Sequence, residues 1–448
     1  MPMRFPIAAW LVIAATSAAG EPARTPADRG RDELLGRSHL PPAWTATAYF
    51  KARSLWNSSE APDPVQDPDG YARAFQSRYG LHPAPYPNDD LPMGLRRAKS
   101  SKTGRIGLQI DCLVCHGGSI GGLSYVGLGN SQLDLESLLH ELTRADGRVP
   151  PPSLFTINSA RGTNNAGQVD VALLSLRNTD LSFRLVPLRT GSWMPEMDTP
   201  AWWLLQKKRT KYYDGRTDAR AHRSNMQFLL ADASAERLRE LEPVFRDIDA
   251  FIKSIEPPCY PFPIDAETAS RGQVVFEAVC ARCHGTYAPG AETYPNKIVP
   301  IEVIGTDRAR FDGLTDRFID HYNHTWLGED YPVKEPRTGY QAPPLDGVWA
   351  TAPYLHNGSV PTLYHLLKSN ERPRRFTRPP STDFEHYDKE RVGWKFDIPP
   401  GPEPQLAEKP NKDVFDSRRF GLGNQGHRFG DELDDRERLE VIEYLKTL

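Results

Sequence analysis

Two short stretches repeat one arrangement of thiols and an imidazole: Cys112-Leu-Val-Cys115-His116 and Cys280-Ala-Arg-Cys283-His284. Thiols at this spacing lie about one helical turn apart, so both can add to the vinyl groups of one haem and form thioethers. The next residue then turns its imidazole toward the iron as proximal ligand. Each stretch is the C-x-x-C-H attachment site of a c-type haem, and the pair predicts two covalently bound haems c. A structural zinc site does not require histidine directly after the second cysteine in both copies. A thioredoxin-like C-x-x-C wants a βαβ setting that this sequence does not offer. Cys259, in Glu256-Pro-Pro-Cys259-Tyr-Pro-Phe-Pro, sits in a linker and is given no role.

Helices must hold these motifs. Ala269-Ser-Arg-Gly272-Gln-Val-Val275-Phe276-Glu-Ala-Val279 has apolar residues at helical spacing and runs into Cys280. Asp434 to Leu445 is amphipathic with acids at its start, as a helix N-terminus favours. A helix before the haem motif packed across one at the domain end is the cytochrome c arrangement. Phe245 to Ile255 reads as the matching terminal helix of a first unit, stopped by Pro257 and Pro258. The expected fold is mainly α, with two cytochrome c-like haem domains, 106–256 and 264–448, and long Pro-rich loops. An N-terminal extension, 21–105, is expected to wrap the first unit.

Residues 1–20 carry Arg4, an apolar run from Phe5 to Ala15 and then small residues, the layout of a secretory signal peptide. The run is shorter than the roughly 20 residues of a spanning helix, so no membrane span is expected after its removal. The expected location is the periplasm or the exterior. Net charge is −3, with no clustered basic excess, which speaks against a nucleic-acid partner.

The six methionines end at Met226, so the second haem has no methionine ligand in its own domain. That argues against the high potential of His/Met ligation. His321, His324, His356, His365, His386 and His427 remain candidates, and His427 lies among glycines in Gly423-Asn-Gln-Gly426-His427-Arg-Phe-Gly430. For the first haem, His140 and Met93 are the alternatives to an open coordination position, which is the preferred reading.

Thr351-Ala-Pro-Tyr354-Leu-His356-Asn-Gly-Ser-Val-Pro-Thr-Leu363 and Tyr212-Tyr213-Asp214-Gly215-Arg216 resemble elements of the bacterial dihaem cytochrome c peroxidase superfamily. Trp202 and Trp203 after Met197-Asp-Thr-Pro200, the Gly426-His427 element and Phe228 look closest to its rubber oxygenase-like branch. The resemblance implies His427 as distal ligand of the second haem and Phe228 in the distal pocket of a catalytic first haem. It also implies a Ca²⁺ held by the backbone oxygens of Thr351 and Pro353, with Asn130 as side-chain ligand. Tyr213 stands where the family has the tryptophan between the haems, and a tyrosyl radical must lose a proton. The Gln and Glu used for peroxide cleavage have no counterpart at the family's offsets, where Met226 and Phe228 stand instead.

The expected function is thus a dihaem oxidoreductase that activates O₂ or hydrogen peroxide at the first haem. The second haem relays or stores electrons, and the partner is an unknown electron donor or apolar organic substrate. The alternative is a non-catalytic electron carrier with both irons six-coordinate.

Overall fold

The computed structural model describes residues 23–56, 61–150, 159–403, 405–406 and 410–448. The expected signal peptide therefore lies outside the described residues. The described elements are helices separated by long loops and pinned by small antiparallel pairings, with no strand longer than five residues among them.

Two crossed helix pairs organise the chain. In the first, α1 (Pro26–Gly36) packs on α7 (Ala235–Ile252); between them come α2 (Ala48–Lys51), α3 (Pro68–Tyr79), α4 (Leu113–His116), α5 (Leu135–Ala145) and α6 (Ala166–Ser175). In the second, α8 (Ala266–Val279) packs on the C-terminal helix Asp435–Leu445, and α9 (Ala281–His284) carries the second motif. Capping fixes where these helices begin. Thr25 and Asp28 form a reciprocal capping box on α1, and Asp434 and Glu437 do the same on the last helix.

The two crossings are built alike. A Cβ on Gly30 would lie 1.9 Å from the Asp247 carbonyl oxygen, and one on Gly272 would lie 1.8 Å from that of Glu440. Each glycine thus lets two backbones touch. The arginine before it holds the carboxylate of the same partner residue, Arg29 to Asp247 at 2.6 Å and Arg271 to Glu440 at 2.7 Å. This Arg-Gly pair facing an acid recurs although the surrounding sequences differ.

The segment expected to be an N-terminal extension takes part in that symmetry. Its first helix, α1, is half of the first crossing. The boundary drawn between 105 and 106 also cuts a hairpin: β2 (Leu95–Lys99) pairs with β3 (Ile106–Ile110) from Leu95↔Ile110 to Lys99↔Ile106. The sheet is completed by β1 (Trp44–Thr45) on the other side of β3. The terminal helix of the first unit also starts earlier than its apolar spacing suggests. Pro243 removes one backbone donor inside α7, but Leu238 and Leu241 are buried ahead of it and hold the first turns in place.

Adjacent tryptophans tie the units together. Trp202 packs into the core of α6, α7 and Leu113, whereas Trp203 packs with Phe276, Trp349 and Val441 of the second core. Trp203 also donates from Nε1 to the Asp346 carbonyl at 2.8 Å. Among the described residues no helix is long and apolar enough to cross a membrane.

Candidate haem sites

At the second motif, α8 delivers Cys280 at its C-terminus and α9 carries Cys283 and His284. His284 Nδ1 lies 2.8 Å from the Pro343 carbonyl. A carbonyl only accepts, so Nδ1 carries the proton and Nε2 keeps its lone pair, the tautomer a metal requires. His427 faces this ring from across 143 residues of chain, with centroids 6.3 Å apart and planes at 61°. Two imidazoles bound at about 2 Å to one metal, with ring centres about 1 Å further back, would stand about 6 Å apart. The separation therefore suits two imidazoles that would hold one iron between them.

The loop of His427 is held with unusual care. His427 itself has φ +48°, and Gly426, at φ +78°, packs so closely on Gly305 that a Cβ would lie 2.3 Å from its carbonyl carbon. The His427 amide donates to Ile304 at 2.7 Å. Arg372 donates to the carbonyls of Asn424 at 2.7 Å, Gly426 at 2.6 Å and His427 at 3.2 Å. Burial, together with His284 and Arg372, lowers the His427 pKa to about 3, so the ring is neutral at neutral pH. Nothing in the sequence singled out Arg372, which bridges the nearby His365 and Leu366 carbonyls to this loop more than fifty residues away.

At the first motif, α4 follows β3 directly. His116 stacks on Trp202 at 4.5 Å and 22°. Burial lowers its pKa to about 4, offset in part by the Pro200 carbonyl, which does not reach its Nδ1 with ordinary hydrogen-bond geometry. None of the four motif cysteines is paired in a disulfide, so each sulfur is available for a thioether bond. Phe228 lies with Cys112 and Phe245 on one cavity. Of the suggested sixth ligands, Met93 packs on the motif's own backbone, within 2.7 Å of where a Gly117 Cβ would be. His140 lies on α5, which packs on α2 and α3. Cys259 is exposed and unbonded.

Tyr213 stands between the units. Its hydroxyl donates to the Asp198 carbonyl at 3.0 Å, and its ring meets His356 edge-on at 5.9 Å. His356 in turn lies 4.7 Å from Tyr340. The sequence suggested His356 as an iron ligand; the structure places it in this aromatic row, away from His284.

The Ca²⁺ expectation meets a poor fit. Asn130 Oδ1 already accepts from His82 Nε2 at 3.1 Å and from the Gln132 amide at 3.0 Å, leaving no lone pair for a cation. The cleft beside Pro353 holds Arg378 and the buried Asp198. Arg378 donates to the Ser131 carbonyl and, at 3.4 Å, to that of Arg161. A fixed positive charge thus occupies the neighbourhood where the resemblance places the ion. EDTA dialysis is therefore expected to leave the melting temperature unchanged, and Arg378→Met to cost about 1–3 kcal/mol through the carbonyls it strands. A melting temperature that drops with EDTA and returns with Ca²⁺ would contradict this.

A family model described as RoxA-like, cytochrome c-like matches residues 339–377, which include the Thr351–Leu363 element. The uncharacterized protein y4iM of Sinorhizobium fredii is 32% identical over 238 residues, covering 44% of this chain and 52% of the relative. The uncharacterized protein y4iJ of the same organism is 28% identical over 248 residues, covering 41% and 39%. The chain thus spans about half or less of the length of the curated relatives it matches. A hydrazine synthase structure from Kuenenia stuttgartiensis aligns with TM-score 0.25 and 14% identity over 62% of this chain and 87% of that one. The family match supports a cytochrome c-like domain, the kind that binds haem c covalently.

Proposed function

We propose that the chain is an exported dihaem c-type cytochrome oxidoreductase of the rubber oxygenase-like branch, working on O₂ or hydrogen peroxide at the first haem. The observation that carries this reading is the difference between the two sites. Opposite His284 stands a second imidazole, ring centres 6.3 Å apart, whereas beside Cys112 lies a cavity walled in part by Phe228, Phe245 and Ile248. When bound, haem supplies a redox-active iron at each site, and an iron with a free position can also bind small ligands.

The chain's own residues divide the work. Cys112 and Cys115 would anchor the first haem, and Cys280 and Cys283 the second. His116, backed by Trp202, would be the first proximal ligand; His284 and His427 would hold the second iron from both faces. With two imidazoles the second haem suits storing or relaying electrons. Phe228, Phe245 and Ile248 give this cavity an apolar side that suits O₂ or part of an apolar organic substrate. Tyr213 would stand between the sites by the resemblance, but its phenol is tied to a carbonyl oxygen, a weak proton acceptor. Tyr213→Phe is therefore expected to leave the rate of electron exchange between the haems unchanged within about twofold, read by flash photolysis of the CO-bound mixed-valence protein. A larger fall would show that the phenol is used.

The test of the whole reading is absorption and EPR spectroscopy of the purified haem protein with cyanide, CO, O₂ and hydrogen peroxide. One haem of two should be high-spin or ligand-responsive. Two low-spin haems that ignore every ligand, oxidised and reduced, would leave a non-catalytic electron carrier.

A further inference from the structure

The cavity beside Cys112 contains a group that no sequence pattern marks. His39, in the loop after α1, lines it together with Phe228, Phe245, Ile248 and Leu34. Its ring rests on Phe245 at 5.4 Å and 58°, and its side chain is only 13% exposed. Nε2 is buried without a hydrogen-bond partner, and the nearest carboxylate oxygen, on Glu33, is 4.0 Å away. The neighbouring polar groups are engaged: Ser38 donates to the Leu40 carbonyl at 2.9 Å, and Asp111 holds Arg96 at 2.5 Å.

Leaving an imidazole nitrogen buried and unpaired is destabilising. Such a cost at a cavity wall points to a partner that enters the cavity. Burial is the main influence on this ring, with Arg237, Arg96 and Arg37 adding to it, and together they lower its pKa to about 4. Glu33 is too far to reverse that, so the ring is neutral near pH 7, with one N–H and one lone pair. The position is also rigid. α1 ends three residues before His39, and the Gly30 crossing locks α1 to the α7 face that carries Phe245.

We infer that His39 is the distal polar residue of the first haem, its Nε2 facing the small ligand that enters beside Phe228. This rests on the open first haem proposed above. It supplies the proton-handling group that Met226 and Phe228 lack, and so gives the pocket a means to bind peroxide or other protonated small ligands. The group comes from the N-terminal segment, not from the positions after the Tyr-Asp-Gly-Arg element.

Cyanide is the probe. It enters as HCN and must surrender its proton on binding, and a neutral distal imidazole can take that proton. Stopped-flow cyanide binding and the infrared C–O stretch of the CO complex should be compared in the holoprotein, His39→Leu and His39→Gln. Expected are cyanide association about a hundredfold slower in His39→Leu, a shifted C–O stretch, and partial recovery of both in His39→Gln. The haem absorption without ligands should stay unchanged. If His39→Leu loads haem poorly, His39→Gln still carries the test through the C–O stretch. A reactive native haem with unchanged kinetics and stretch in both variants would overturn the role of His39 and leave the open-haem reading standing. A native first haem blind to cyanide and CO would overturn both. A low-spin native haem that becomes reactive only without His39 would make His39 an iron ligand, overturning the role inferred here.

Discussion

Replacing His427 with alanine is expected to convert one of the two haems from low spin to high spin and to open that iron to CO and cyanide. The argument rests on geometry. His427 stands 6.3 Å from His284, ring centre to ring centre, and the backbone that presents it is overdetermined. Gly426 and the Ile304 carbonyl fix one side of the loop, and Arg372 binds three of its carbonyls. No other histidine ring lies so placed against His284 among the described residues. EPR integration before and after the substitution is the measurement. His427→Met should instead keep the iron six-coordinate and raise the potential of that haem, as thioether ligation does. If His427→Ala leaves both the EPR spectrum and the CO response unchanged, some other residue holds that iron.

The second large effect is expected from the helix crossings. Gly30→Ala and Gly272→Ala each add a single methyl group, and on helix propensity alone each should stabilise by about 0.5–1 kcal/mol. The crossings reverse the sign. A methyl carbon placed 1.8–1.9 Å from a partner carbonyl oxygen must be relieved by moving backbone, because neither atom belongs to a flexible side chain. Overpacking of this kind costs about 1–3 kcal/mol, and more where two backbones are in contact. For units of this size that lowers a melting temperature by roughly 2–4 °C per kcal/mol. Melting followed at the Soret band should show Gly272→Ala loosening the second haem site and Gly30→Ala the first. An unchanged or raised melting temperature in either variant would mean that its crossing is looser than the structure has it.

The same pair of glycines shows where reading the sequence stops. Gly272 could be placed on a helix because it precedes Cys280 within an apolar pattern of period 3.6. Gly30 lies on an equally regular helix, but more than seventy residues, including α2, α3 and the sheet, separate it from Cys112. With no motif beside it, α1 read as part of an extension, although it is the structural counterpart of α8.

What the sequence by itself determined was the chemistry encoded within a few residues. The thiol–thiol–imidazole spacing of Cys112 to His116 and Cys280 to His284 is local, because a single helical turn sets which atoms can reach one haem. The helix from Asp434 was legible for the same reason: its cap, its acids and its apolar stripe all lie within three turns. Tertiary structure decided everything that joins distant segments. His427 could be named among six histidines, but only the fold brings its ring opposite His284. Asn130 looked free to bind a cation until His82 and Gln132 were seen to use its oxygen. His39 showed no pattern at all, since a lone histidine after a helix has no periodicity to mark it. Its place at the Cys112 cavity comes from the crossing of α1 with α7, a contact between segments more than two hundred residues apart, where shape complementarity rather than local spacing does the selecting.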